Sequence, residues 1–202
     1  YLKGLFSMKR TVYFLFLAIT LCGCASTPRH AVPEILLPST TVLGHSDLRA
    51  FGGSPSDSFK RDIIKLLEQE ETDRPSFFTF HATRTYSMIA ISGGAANGAY
   101  GAGLLNGWAL EGSRPVFTIV TGISTGALIA PLVFLGSAYD PLLKEIYTTY
   151  STRDIMRRRV SLGNSFASSR PLKRLIERYY NADLLKEIAA EYYKGRRLYV
   201  GT

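Results

Sequence analysis

Residues 116–135 read Val116-Phe-Thr-Ile-Val120-Thr-Gly122-Ile-Ser124-Thr-Gly126-Ala-Leu-Ile-Ala-Pro-Leu-Val-Phe-Leu135. An apolar run, Val116–Val120, leads into a Gly-x-Ser-x-Gly pentapeptide, and a second apolar run, Ala127–Leu135, leads out of it. That pattern predicts strand, sharp turn, helix. In such a turn the serine is held at the tip in a strained backbone conformation. Gly122 and Gly126, two residues to either side, avoid the clash a Cβ would make with the neighbouring strand and helix. The Ser124 hydroxyl then stands clear of the sheet, and the helix N-terminus aims partial positive charge at an anion formed on attack. Taken alone, the pentapeptide equally describes a tight Gly-rich βα turn with a bystander serine.

One βα unit upstream lies a second candidate. Tyr86–Ser92 reads as a buried strand, Ser92-Gly93-Gly94-Ala95-Ala96-Asn97-Gly98 as a loop, and Gly98–Leu110 as a helix rich in small residues. Backbone N–H groups in such a loop are free and point along the helix axis, so the loop suits an anion. One reading is a phosphate loop for a nucleotide. It lacks the Lys-Ser/Thr pair of a P-loop, and its glycines do not fall in Gly-x-Gly-x-x-Gly register. The other is an oxyanion hole for a serine nucleophile. Gly93, Gly94, Ala95 and Thr125 would then be the backbone donors and Asn97 a polar group at the loop's end. Strand ends of adjacent βα units open onto one edge of a parallel sheet, so this reading accounts for both features together. Gly98, Ala99, Gly101, Ala102 and Gly103 read as small for packing.

Further helices are expected at Ser56–Glu70, Asp140–Tyr150, Thr152–Arg158, Pro171–Tyr180 and Ala182–Tyr193. In the first, Phe59, Ile63, Leu66 and Leu67 share one face with charges opposite. The last has Asn181 as N-cap and Gly195 as its stop. Phe77–Thr85 reads as a short extended segment and Leu198–Gly201 as a strand. Strands alternating with helices predict an α/β fold: a three-layer α/β/α arrangement around a mostly parallel central sheet. The chain divides into upstream residues and leader (1–23), tether (24–56), helical extension (57–85) and main domain (86–202).

Composition is that of a globular protein, 46% hydrophobic and 20% charged. Met8 reads as the start, Lys9 and Arg10 as a positive n-region, and Thr11–Leu21 as an apolar h-region too short to span a bilayer comfortably. Leu21-Cys22-Gly23-Cys24-Ala25 resembles the bacterial lipoprotein processing box, which makes Cys24 the lipidation site; an ordinary signal peptide or a short anchor helix is the other reading of the segment. Ala25 is not the aspartate of inner-membrane retention, so an outer-membrane location is expected. Both cysteines lie in this box; if Cys22 leaves with the leader and Cys24 is acylated, no thiol remains in the folded part for a disulfide framework, a metal site or a nucleophile. Net charge is +8, with a cluster at Arg153, Arg157, Arg158, Arg159, Arg170, Lys173, Arg174 and Arg178. Docking on anionic headgroups and a solvated helical face are the two readings of that cluster. No nucleic-acid motif accompanies it.

Ile89-Ala90-Ile91-Ser92-Gly93-Gly94-Ala95-Ala96-Asn97-Gly98-Ala99-Tyr100-Gly101-Ala102-Gly103, followed by Gly122-Ile-Ser124-Thr-Gly126, resembles the patatin-like phospholipase family. Its members carry a Gly-Gly-Gly-x-Arg/Lys-Gly loop after the first strand and then Gly-x-Ser-x-Gly. The likeness runs from about Tyr86 to Thr202. The resemblance implies a lipid acyl hydrolase acting through a Ser–Asp dyad, with no histidine, metal or other cofactor. Phospholipid or another lipid ester would be the substrate. The family's aspartate sits in an Asp-Gly motif well beyond the serine.

This chain departs from that pattern in its loop and in its acid. Ala95 replaces the third glycine and Asn97 the basic residue. The loop's donors are expected to survive if Ala95 keeps a negative φ. None of Asp140, Asp154 and Asp183 precedes a glycine, and each reads as a helix-start or surface residue. The acid is therefore expected beyond Thr202, the chain is read as a fragment, and by itself it is expected to be inactive. His30, His45 and His81 all precede Ser124, so the nucleophile–acid–histidine order of an α/β-hydrolase is not completed here. A pocket that kept lipid binding or scaffolding without chemistry is the rival function.

Overall fold

The computed structural model describes residues 32–50, 52–53, 55–72, 85–155, 157–158, 167–168 and 170–201. Three parallel strands form the central sheet: β1 (Met88–Ile91), β2 (Ile119–Ile123) and β3 (Arg197–Gly201). Their order is β1-β2-β3, with Ile91 opposite Gly122 and Ile123 opposite Gly201. The helices are α1 (Asp57–Thr72), α2 (Gly98–Glu111), α3 (Thr125–Leu135), α4 (Asp140–Thr149), α5 (Thr152–Ile155), α6 (Arg170–Tyr179) and α7 (Ala182–Tyr193). The α/β expectation holds.

Helix α3 is apolar on every side because every side is covered. Ile129, Ala130, Leu132, Val133 and Phe134 are each at most 2% exposed. The helix lies on β2, and Ala102 and Leu105 of α2, Leu143 and Ile146 of α4, and Leu184 of α7 complete the same core. Burial on this scale is the main stabilising term, about 2 kcal/mol for each large aliphatic side chain.

The opposite face of the sheet carries α1. Successive strand residues point to opposite faces. Gly122 faces α3, so Thr121 and its in-register neighbour Tyr199 face away. Ser56 caps α1, its Oγ accepting from the Phe59 N–H at 3.3 Å, and Asp57 complements the dipole in the first turn. Leu66 is buried and the Phe59 ring stacks 4.9 Å from that of Tyr199. The charges of α1 are not all on its outer face, contrary to the sequence reading. Asp62 turns inward because β3 opens with a buried cation: Arg197, 1% exposed, donates through Nε to Asp62 Oδ1 at 2.8 Å. Arg197 Nη2 reaches Gln69 Oε1 at 2.9 Å, and Tyr199 donates to Asp62 Oδ2 at 2.9 Å.

Element ends differ from expectation by a few residues, and in one place the type differs. The helix expected over Thr152–Arg158 stops at Ile155, and Arg157–Arg158 pairs antiparallel with Ala167–Ser168. An arginine run offers no apolar stripe to bury, whereas a strand pair satisfies its backbone without one. Asn181 caps α7 as expected, its Oδ1 accepting from the N–H groups of Asp183 and Leu184. Gly195 follows that helix at φ 84. Part of the expected tether faces the sheet across a cavity that Ala50, Gly52, Gly53 and Ser56 line together with the strand ends. The segment Phe77–Arg84, His30, His81, the leader and Cys24 lie outside the described residues. Among the described residues no helix is long and apolar enough to cross a membrane.

Candidate active site

Ser124 sits between β2 and α3 at φ 54, ψ −120. A non-glycine residue in that region carries about 1–3 kcal/mol of strain and persists only where its surroundings over-determine it. Two glycines supply the constraint. A Cβ on Gly122 would overlap the Gly126 carbonyl and come 2.7 Å from Ala130 Cβ. A Cβ on Gly126 would overlap the Ile91 carbonyl and come 2.9 Å from Ser92 O. The turn is thus clamped between its own helix and the end of β1. The Ser124 side chain is exposed and makes no capping hydrogen bond, which leaves the hydroxyl at the tip of the turn.

The Gly/Ala loop runs directly beside it. A Cβ on Gly93 would come 2.8 Å from Ser124 Cβ and 3.3 Å from Ser124 Oγ, so only glycine lets the backbone approach the hydroxyl this closely. Gly94 is at φ 153, ψ 18, and Ala95–Asn97 form one 3-10 turn closed by Asn97 N–H to Gly94 O at 2.9 Å. Ala95 itself has φ 49. That corrects the expectation of a negative φ: the loop needs a left-handed residue to enter the turn, and alanine holds that conformation at a cost of about 1 kcal/mol. Asn97 is exposed and makes no capping hydrogen bond. Its Nδ2 lies 3.9 Å from the point a Gly94 Cβ would occupy.

Thr125 links the two turns. Its Oγ1 donates to the Ala95 carbonyl at 3.2 Å. Gly98 is small because a Cβ there would overlap the Thr125 methyl and come 3.0 Å from the Tyr147 ring. The packing expectation also holds for buried Ala102. It does not hold for Gly103, which has nothing within 4 Å of its Cβ position, or for exposed Ala99; both lie on the outer side of α2. Gly101 has only an ordinary contact, Ile129 Cδ1 at 3.9 Å.

The three aspartates after Ser124 are engaged elsewhere. Asp140 is buried against Arg114 at 2.9 Å, beyond the far end of α3 from Ser124. Asp154 accepts from the Ser151 hydroxyl and N–H, and those two bonds hold its carboxyl below the usual range. Exposed Asp183 pairs with Lys186 at 3.0 Å. Among the described residues no three His, Cys, Asp or Glu side chains come together as a metal site.

Sequence reasoning missed Tyr147. Its hydroxyl is buried beside Gly98 without a partner among the described residues, and burial pushes its phenol up to about 12. Tyr147 follows Leu143 by four and Ile146 by one on α4, and that spacing already places it on the inward face. A cavity of about 680 Å³ opens on the α1 side of the strand ends, between Phe59, Ile91, Ser92, Ile123, Tyr199 and Gly201.

Residues 89–193, more than half of the chain, match a family model described as Patatin-like phospholipase. Neither a curated protein nor a solved structure matches.

Proposed function

The chain belongs to the patatin-like phospholipase family, and on that premise we propose that it is a serine-dependent lipid acyl hydrolase with Ser124 as its nucleophile. One observation carries this reading. The Ser124 hydroxyl is exposed on a turn at φ 54, ψ −120, with the Gly93 backbone packed against it. Ser124 Oγ attacks the ester carbonyl carbon and gives its proton to an aspartate. The carbonyl oxygen gains the negative charge and is held by N–H groups of the Gly93–Ala95 loop and of Thr125. Collapse of that intermediate expels the alcohol, which takes the proton, and leaves an acyl-serine. Water activated by the same aspartate then releases the fatty acid. Each oxyanion donor supplies about 3 kcal/mol in comparable chemistry. Asp140, Asp154 and Asp183 are engaged elsewhere and are not assigned as that aspartate.

The substrate assignment is phospholipid or lysophospholipid, and the assigned location is the bacterial outer membrane, through a lipid on Cys24. The processing box Leu21-Cys22-Gly23-Cys24 supports both. Loss of radiolabelled palmitate incorporation in Cys24→Ala tests the anchor.

The catalytic test uses the full-length protein. Wild type is expected to hydrolyse 4-nitrophenyl butyrate and to be labelled by a fluorophosphonate probe, and Ser124→Ala to do neither while unfolding at the same temperature. Hydrolysis surviving in Ser124→Ala refutes the assignment. A lipid-binding role without chemistry is favoured by one observation, a neutral Asn97 at the end of the loop and no cation at that position. A folded wild type that binds lipid vesicles but resists the probe would establish that role instead.

A further inference from the structure

Resting on the serine-hydrolase reading above, we propose that Thr125 is a positioning residue whose side chain sets the oxyanion loop. Its Oγ1 donates to the Ala95 carbonyl at 3.2 Å, and among the described residues this is the one side-chain hydrogen bond that residues 92–97 receive. The same carbonyl accepts from the Gly98 N–H. The Thr125 methyl fills the space where Gly98 lacks a side chain, so the hydroxyl has little freedom to turn away.

The bond matters because of what it holds. Ala95 has φ 49, a conformation an alanine leaves readily for negative φ. Peptide units are planar, so pinning the Ala95 carbonyl pins the whole Ala95–Ala96 unit. The Gly94–Ala95 unit, whose N–H is offered to the oxyanion, is held through its own carbonyl by the Asn97 N–H at 2.9 Å, so with both units fixed φ at Ala95 cannot change. Thr125 thus blocks the relaxation that would turn the donor away. Because Thr125 directly follows Ser124, one residue couples the nucleophile to the hole that serves it.

The test compares Thr125→Val, which keeps the branched shape and removes the donor, with Thr125→Ser, which keeps the donor and removes the methyl. In the full-length protein, kcat for 4-nitrophenyl butyrate is expected to fall about five- to tenfold in Thr125→Val, with KM within about twofold. Amide exchange at residues 95–97 is expected to quicken in the same variant. Thr125→Ser is expected to stay within about twofold of wild type in kcat. Thr125→Ala also lacks the donor and decides the matter in the same way where the valine variant fails to fold. A valine or alanine variant with wild-type kcat overturns the proposal. So does a serine variant as impaired as the valine one, since packing alone would then be at work. If wild type hydrolyses no ester, the hydrolase reading fails and takes the catalytic role of Thr125 with it. The exchange experiment then reports separately whether the hydroxyl holds the loop.

Discussion

Asp62→Ala is expected to destabilise the protein by about 3 kcal/mol, because it strips the counter-charge from a cation that water does not reach. The Arg197 side chain is 1% exposed and that of Asp62 23%. The Asp62 carboxylate accepts from Arg197 Nε at 2.8 Å, Tyr192 at 3.0 Å and Tyr199 at 2.9 Å, so truncation leaves three donors without their acceptor. Breaking a buried pair from one side costs about 3–5 kcal/mol. The lower end applies here because the guanidinium keeps neutral acceptors: the carbonyls of Tyr192, Arg196 and Asp62, and Gln69 Oε1. Urea unfolding followed by the fluorescence of Trp108, the single tryptophan, reads the loss as a lower midpoint at unchanged slope. A second arm removes both charges. Asp62→Leu with Arg197→Met is expected to recover all but about 1 kcal/mol, since apolar replacement of a buried pair is close to neutral. A loss below about 1 kcal/mol in Asp62→Ala, or a double variant as unstable as the two single losses added, would refute the reasoning.

Gly126→Ala is expected to cost about 3 kcal/mol or more, because its Cβ would strike the Ile91 carbonyl, which belongs to a strand and cannot give way. Gly103→Ala, with open space at its Cβ on a helix interior, should stabilise by about 1 kcal/mol; thermal melts of the pair test whether the difference lies in the contacts. Ala95→Gly is expected to stabilise by about 0.5 kcal/mol, the relief of a left-handed alanine less the added freedom of the unfolded chain, measured by urea midpoint. Tyr147→Phe removes a buried hydroxyl that has no partner among the described residues and should be neutral or stabilising by up to about 1 kcal/mol. Burial raises the Tyr147 phenol from 10.0 to about 12, so folding stability is unaffected by its titration below pH 10 and falls as pH rises from there to about 12. The phenylalanine variant should therefore show a shallower loss of stability across that window, and an unchanged alkaline limb would contradict the burial argument.

Much of the site is legible as local pattern. Gly122, Ser124 and Gly126 fall between two apolar runs, and a strand-to-helix turn with a serine at its tip follows from glycine conformation and periodicity. Asn181 as a cap is legible too, because an N-cap is a contact between residues two and three apart. The inward turn of Asp62 is not. On the helix it looks like any solvated carboxylate, and only Arg197, far along the chain, gives it a reason to face the sheet. Tyr147 sits between these cases: its spacing marks it as inward, while the missing partner for its hydroxyl depends on which elements meet there.

The sequence by itself determined the order of the three sheet strands and the helices around them, the parallel α/β class and the pairing of a Gly/Ala loop with a serine turn one βα unit later. These rest on periodicity and on backbone freedoms that a residue carries wherever it stands. Tertiary structure alone decided three further matters: that Ala95 is held left-handed, that the Thr125 side chain fastens the loop to the elbow, and that Arg197 and Asp62 clasp α1 to the sheet. Each depends on which atoms of distant segments come within a hydrogen bond's length. Hydrophobic patterning is blind to such distances, because it sums over area while these contacts turn on tenths of an ångström.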